Sequence, residues 1–178
     1  MNLPNYITLV RIILIPFFIN LMIYGYYRSA LGIFVIACIT DALDGMIARI
    51  TKSQTELGAF LDPMADKLLI VSAFVTLVFL RMLPIWLVIV VVSRDVILVM
   101  GSAVIYFMGR DFKARPSLIG KATTVLQLIV VTLSLVLKNY DVHVGLMPIL
   151  YWTTAIFTVA SGVQYVIRGM KIVGENVP

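Results

Sequence analysis

Residues 41–66 read DALDGMIARITKSQTELGAFLDPMAD, and this stretch decides the fold. It joins two apolar runs across a short polar break. Asp41 and Asp44 are three apart near the end of the first run, and Asp62 and Asp66 are four apart near the start of the second. On helices, both spacings put the pair on one face. A short connection makes the two helices antiparallel neighbours, so four carboxylates are expected to meet at one end of a hairpin.

The same pattern of apolar run and polar break continues outward. The expected spans are 5–25, 30–50, 58–80, 84–108, 118–137 and 146–168. Each is long enough to cross a hydrocarbon core of about 30 Å at 1.5 Å per residue. In lipid a helix satisfies its own backbone, so helices are the default element. The composition agrees: 61% of the 178 residues are hydrophobic and 13% charged, against roughly 25% charged in soluble domains. Mean hydropathy is +1.04. The expected fold is all-α, a polytopic membrane protein with six transmembrane helices forming one domain over 1–178. The N-terminal MNLPNYITLVRIILIP lacks an early basic residue and a small-residue cleavage site, so it reads as the first mature helix rather than a secretory signal.

Loop charge sets the expected orientation. With the N-terminus inside, one face carries Arg49, Lys52, Arg110, Lys113, Arg115, Lys121, Arg168 and Lys171. The other carries Arg28, Arg81 and Lys138. The excess makes the first face cytoplasmic. The net charge of +5 is then a membrane feature that favours anionic lipid, and no nucleic-acid partner is expected. The one cysteine, Cys38, lies in an apolar run and reads as a small buried hydrophobe. His143 lies beside Asp141 in an outer loop, on the wrong side for chemistry at the aspartates.

Four anions just inside a membrane boundary are costly, because each pays for burial and repels the others. Positive charge has to compensate. Carboxylate-only donors suit hard cations, Mg²⁺ or Mn²⁺, and four of them can bridge two ions. The bland alternative is a charged loop neutralised by Arg49, Lys52 and Lys67. Gly45 and Gly58, next to the acids, let a ligand or a second helix approach closely. Ordinary small-residue packing explains them as well, and also fits Ala48. Arg49 can clamp a phosphate or simply mark the boundary.

These residues resemble the signature of the CDP-alcohol phosphatidyltransferase family, D-x2-D-G-x2-A-R-x8-G-x3-D-x3-D. Asp41, Asp44, Gly45, Ala48, Arg49, Gly58, Asp62 and Asp66 match it with every spacing kept. The resemblance implies six transmembrane helices, usually as a homodimer, with a site open to the cytoplasmic leaflet. It implies that Asp41, Asp44 and Asp62 hold metal, and that Asp66 is the general base and also lies near a metal. Gly45, Ala48, Arg49 and Gly58 then surround the cytidine and diphosphate of CDP-diacylglycerol. Asn5, Thr8 and Arg11, three apart at the start of the first span, resemble the family's N-x2-T-x2-R pattern. They would line the nucleotide or lipid-phosphate site, with helix capping and a boundary arginine as the alternative. A prenyl transferase with aspartate-rich motifs and a cation transporter with a carboxylate site are the competing classes. Acids near one end, beside a basic patch, speak against the transporter.

The acceptor is read from other residues. Arg94 and Asp95 sit near the middle of the fourth span. Adjacent residues point apart on a helix, so this pair is not expected to bond to each other. Arg94 then needs an anionic partner: an acceptor or lipid phosphate, or an aspartate of the cluster. Arg110, Lys113, Arg115 and Lys121 form a basic group where the fifth span begins, and Ser117 can cap that span. An anionic acceptor would use such a patch, though positive-inside charge alone also explains it. NLPNYITLVRIILIP and GKATTVLQ resemble bacterial phosphatidylglycerophosphate synthases. SRDVIL at 93–98 with ARPSLIGKATTVLQ resembles cardiolipin synthases, whose acceptor is phosphatidylglycerol. The short chain and the several cytoplasmic cations favour glycerol 3-phosphate and a bacterial plasma membrane.

Overall fold

The computed structural model describes residues 3–51, 56–107, 117–142 and 144–174; side chains at 3–9, 41–51, 56–66, 102–103, 105–107 and 172–174 fall outside that description. The described residues form six α-helices: α1 (Leu3–Ile23), α2 (Tyr27–Thr51), α3 (Glu56–Phe79), α4 (Ile85–Phe107), α5 (Leu118–Tyr140) and α6 (Met147–Gly174). Each coincides with one expected apolar span to within three residues, except that α6 runs six residues past its expected end at 168. Among the described residues, α5 by itself is long and apolar enough to cross a membrane. Large apolar side chains on every helix face outward, including Phe17, Phe79 and Leu118. In water such a surface would be an extended apolar patch; in lipid it is the ordinary outer face.

The chain divides into two compact units, Met1–Leu83 with Val131–Val144, and Pro84–Val130 with Gly145–Pro178. In the first unit α1 packs on both α2 and α3. Phe18, late in α1, meets Phe34, early in α2, with ring centroids 5.8 Å apart, so α1 and α2 are antiparallel. Ile19 and Ile23 share an apolar groove of about 420 Å³ with Val75 and Phe79, so α1 and α3 run parallel.

Three helix ends of this unit use one device. Gly25 takes φ +79°, Arg81 +56° and Asp141 +50°. Behind each, a pair of bonds closes the last turn, as in Tyr26 N–H to the Leu21 carbonyl at 2.8 Å and Gly25 N–H to that of Met22 at 3.2 Å. The same pairs recur at Met82 with Leu77, Arg81 with Val78, Val142 with Leu137 and Asp141 with Lys138. This is the left-handed cap that satisfies orphan carbonyls before a sharp reversal. Lys138 lies 5.7 Å over the ring of Tyr27, which brings the end of α5 to the start of α2. Arg28, Arg81 and Lys138 are therefore collected at one end of the unit, as the charge pattern predicts.

In the second unit α4 packs on α6. Trp86 and Trp152, each near the start of its helix, have centroids 4.8 Å apart. Further along, the Tyr165 hydroxyl donates to the Leu98 carbonyl at 3.1 Å. The two helices are thus parallel. The approach is close: a Cβ at Gly101 would sit 2.9 Å from Cε1 of Tyr165.

Candidate active site

Helix direction alone puts the acidic residues together. Since α1 and α3 run parallel and α2 runs against them, the start of α1, the end of α2 and the start of α3 share one end of the first unit. At 1.5 Å per residue, Asp41 lies about 21 Å along α2 from Tyr27, and Asp66 about 20 Å back along α3 from Phe79. Arg11 lies about 18 Å back along α1 from Ile23. These three occupy neighbouring levels. Asp44, Asp62 and Thr8 fall on the next level outward, about 22–26 Å from the capped end. Gly45, Ala48 and Arg49 continue α2 beyond them, Gly58 precedes Asp62 on α3, and Asn5 opens α1.

Arg11 is fully buried, at 1% exposure, and is among the largest fully buried side chains described. A guanidinium is buried at such cost only where anionic or carbonyl groups offset it. The side chains of Asn5, Thr8, Asp41, Asp44, Gly45, Ala48, Arg49, Gly58, Asp62 and Asp66 lie outside the described ones. The donor chemistry of the set is nonetheless clear from sequence and helix direction. Four carboxylates, with no histidine and no cysteine at their level, fit a hard divalent cation and not a soft one.

The second unit holds the other buried arginine. Arg94 is 7% exposed and Asp95 3%. Contrary to the sequence expectation, the two do pair: Arg94 Nη1 donates to Asp95 Oδ1 at 2.6 Å. The Cβ positions of adjacent helical residues do point apart, but the long arginine stem bends back. In an apolar surrounding, a neutral pair costs less than two separated charges. Nη2 of Arg94 donates to the Ser161 hydroxyl on α6 at 2.9 Å. Nε has no hydrogen-bond partner among the described residues.

Ser117 caps α5 as expected, accepting from Gly120 N–H at 3.0 Å. Lys121, one turn on, is exposed. Arg110, Lys113, Arg115 and His143 lie outside the described residues. Cys38 is half-buried rather than buried, because the apolar run around it also supplies outward-facing positions such as Ile36 and Ile39.

Sequence reading missed Ser161, Gly120 and Gln127. A signal existed: Thr154, Thr158 and Ser161 on α6, and Gly120, Thr123 and Gln127 on α5, recur at helical spacing. All but Gly120 are buried polar residues. The amide nitrogen and oxygen of Gln127 have no hydrogen-bond partner among the described residues.

The CDP-alcohol phosphatidyltransferase family matches residues 1–160. A probable phosphatidylglycerophosphate synthase of Mycobacterium tuberculosis is 35% identical over 180 residues, covering 97% of this chain and 84% of the relative. A CDP-diacylglycerol–glycerol-3-phosphate 3-phosphatidyltransferase of Bacillus subtilis is 36% identical, covering 92% and 93%. The human cardiolipin synthase (CMP-forming) is 36% identical, covering 97% of this chain but 63% of its own length. The chain belongs to the CDP-alcohol phosphatidyltransferase family. Membership displaces the transporter and prenyl-transferase alternatives.

Proposed function

We propose that this chain transfers the phosphatidyl group of CDP-diacylglycerol to glycerol 3-phosphate, giving phosphatidylglycerophosphate and CMP. The observation that carries the reading is the unaltered acidic signature on helices that share one end of the first unit. Relatives named for glycerol 3-phosphate that align over most of both chains support the acceptor.

In this reading six helices span a bacterial plasma membrane, the acidic end faces the cytoplasm, and the protein is a homodimer. Asp41, Asp44, Asp62 and Asp66 hold divalent metal, Mg²⁺ or Mn²⁺, as two ions. When bound, such ions supply neutralisation of the diphosphate as CMP leaves. Gly45, Ala48, Arg49, Gly58, Asn5 and Thr8 receive the CDP moiety. Arg94, Arg11, Arg110, Lys113, Arg115 and Lys121 receive acceptor or lipid phosphate. Asp66 takes the proton of the acceptor hydroxyl. The oxygen so freed forms a bond to the phosphatidyl phosphorus, and the bond from that phosphorus to the CMP oxygen breaks. No covalent enzyme intermediate is needed.

Phosphatidylglycerol is the second acceptor to consider, favoured by the identity to the human cardiolipin synthase along nearly all of this chain. Product analysis decides between them. Purified protein given CDP-diacylglycerol, divalent metal and glycerol 3-phosphate is expected to form phosphatidylglycerophosphate. Cardiolipin formed from phosphatidylglycerol, with no product from glycerol 3-phosphate, would overturn the acceptor assignment.

A further inference from the structure

Ser161 differs from its neighbours on α6. The Thr154 and Thr158 hydroxyls donate to carbonyls of their own helix, those of Leu150 and Thr154, both at 2.7 Å. This is the ordinary fate of a hydroxyl in an apolar helix. The Ser161 oxygen instead accepts from a side chain on another helix, Nη2 of Arg94 at 2.9 Å. The surroundings leave room for that bond on two sides. A Cβ at Gly120 would lie 3.5 Å from Ser161 Oγ, 3.6 Å from Arg94 Nη2 and 3.2 Å from Ser117 Oγ. A Cβ at Gly162 would lie 3.5 Å from Arg94 Cγ, so the arginine stem rests against the α6 backbone.

A guanidinium offers five N–H donors. Asp95 takes one from Nη1 and Ser161 one from Nη2, and Nε remains without a partner among the described residues. A fully satisfied structural arginine would not leave donors over in a buried site. Fixing the group at two nitrogens also removes most of the rotational freedom that a free arginine loses on binding an anion.

We infer that Ser161 is a positioning residue: it holds the Arg94 guanidinium in one orientation and so sets the affinity for the phosphate of the acceptor. This rests on the reading above that Arg94 meets that phosphate. Ser161 supplies the fixing bond. Glycerol 3-phosphate and phosphatidylglycerol both carry the required phosphate, so the inference holds for whichever of them the enzyme uses.

The test is steady-state CMP release by the purified full-length protein, varying each substrate in turn. For Ser161→Ala we expect KM for the acceptor to rise about tenfold, with kcat and KM for CDP-diacylglycerol within about twofold. Ser161→Thr, which keeps the hydroxyl, restores the acceptor KM. Gly120→Ala serves as a control: its Cβ would meet Ser161 Oγ and Arg94 Nη2 at ordinary contact and press only on Ser117 Oγ at 3.2 Å, so the acceptor KM is expected to stay within about twofold. Arg94→Gln separates the two layers of the argument. If Arg94→Gln raises the acceptor KM and Ser161→Ala does not, the positioning role is overturned while the acceptor site stands. If Arg94→Gln leaves the acceptor KM unchanged, the acceptor site itself is misplaced. A parallel fall in all kinetic constants and in thermal stability for Ser161→Ala, unrescued by threonine, would make the bond structural only.

Discussion

Asp66 and Arg94 carry opposite halves of the proposed chemistry, one taking a proton and the other presenting positive charge to a phosphate. They were not equally legible. The spacing of Asp66 from Asp62, and its place in the signature, are written in the chain. So is the end of the hairpin to which α3 carries it. For Arg94 the sequence shows a cation in the middle of an apolar helix but not what satisfies it, since the partner on α6 is 67 residues away. Cβ directions do not reveal the pair with Asp95, because a guanidinium reaches well beyond its own Cβ. Asp66→Asn is expected to retain metal-dependent binding of CDP-diacylglycerol while turnover falls by at least about a hundredfold. Equilibrium binding and CMP release, measured on the same preparation, check this; near-normal turnover would remove Asp66 from the role of base.

The helices were legible because each is built on a long, mainly apolar run, and lipid or tight packing leaves such a run no other way to satisfy its backbone. Their terminations were only partly so. Gly25 announces the cap after α1, but Arg81 and Asp141 adopt the same left-handed conformation without being glycine. The turn demands it there, since the closing bonds to Leu77 and Leu137 form only with that backbone. A non-glycine residue pays roughly 1–2 kcal/mol for this conformation. Arg81 is exposed. Arg81→Gly is therefore expected to raise stability by about 1 kcal/mol. Gly25→Ala is expected to lower it by a similar amount, although a Cβ there would meet nothing within 4 Å. Thermal unfolding of the two variants in one detergent measures both. An unchanged or lowered midpoint for Arg81→Gly would show that the cap is not strained.

Across the whole molecule, charge and direction agree. In the first unit the caps, Arg28, Arg81 and Lys138 gather at one end, and Asn5, Thr8, Arg11 and the four aspartates lie towards the other. An end that gathers four aspartates is expensive unless it binds something, and in the proposed function a metal-bound nucleotide diphosphate supplies the compensating charge. Release of CMP from CDP-diacylglycerol is the measurement that decides whether this end does so. With Mg²⁺ or Mn²⁺ and glycerol 3-phosphate, the purified protein should release CMP. Release should cease when a chelator removes the metal and in Asp41→Asn and Asp44→Asn. No CMP with glycerol 3-phosphate, phosphatidylglycerol, serine or inositol phosphate, or undiminished release in either aspartate variant, would contradict it.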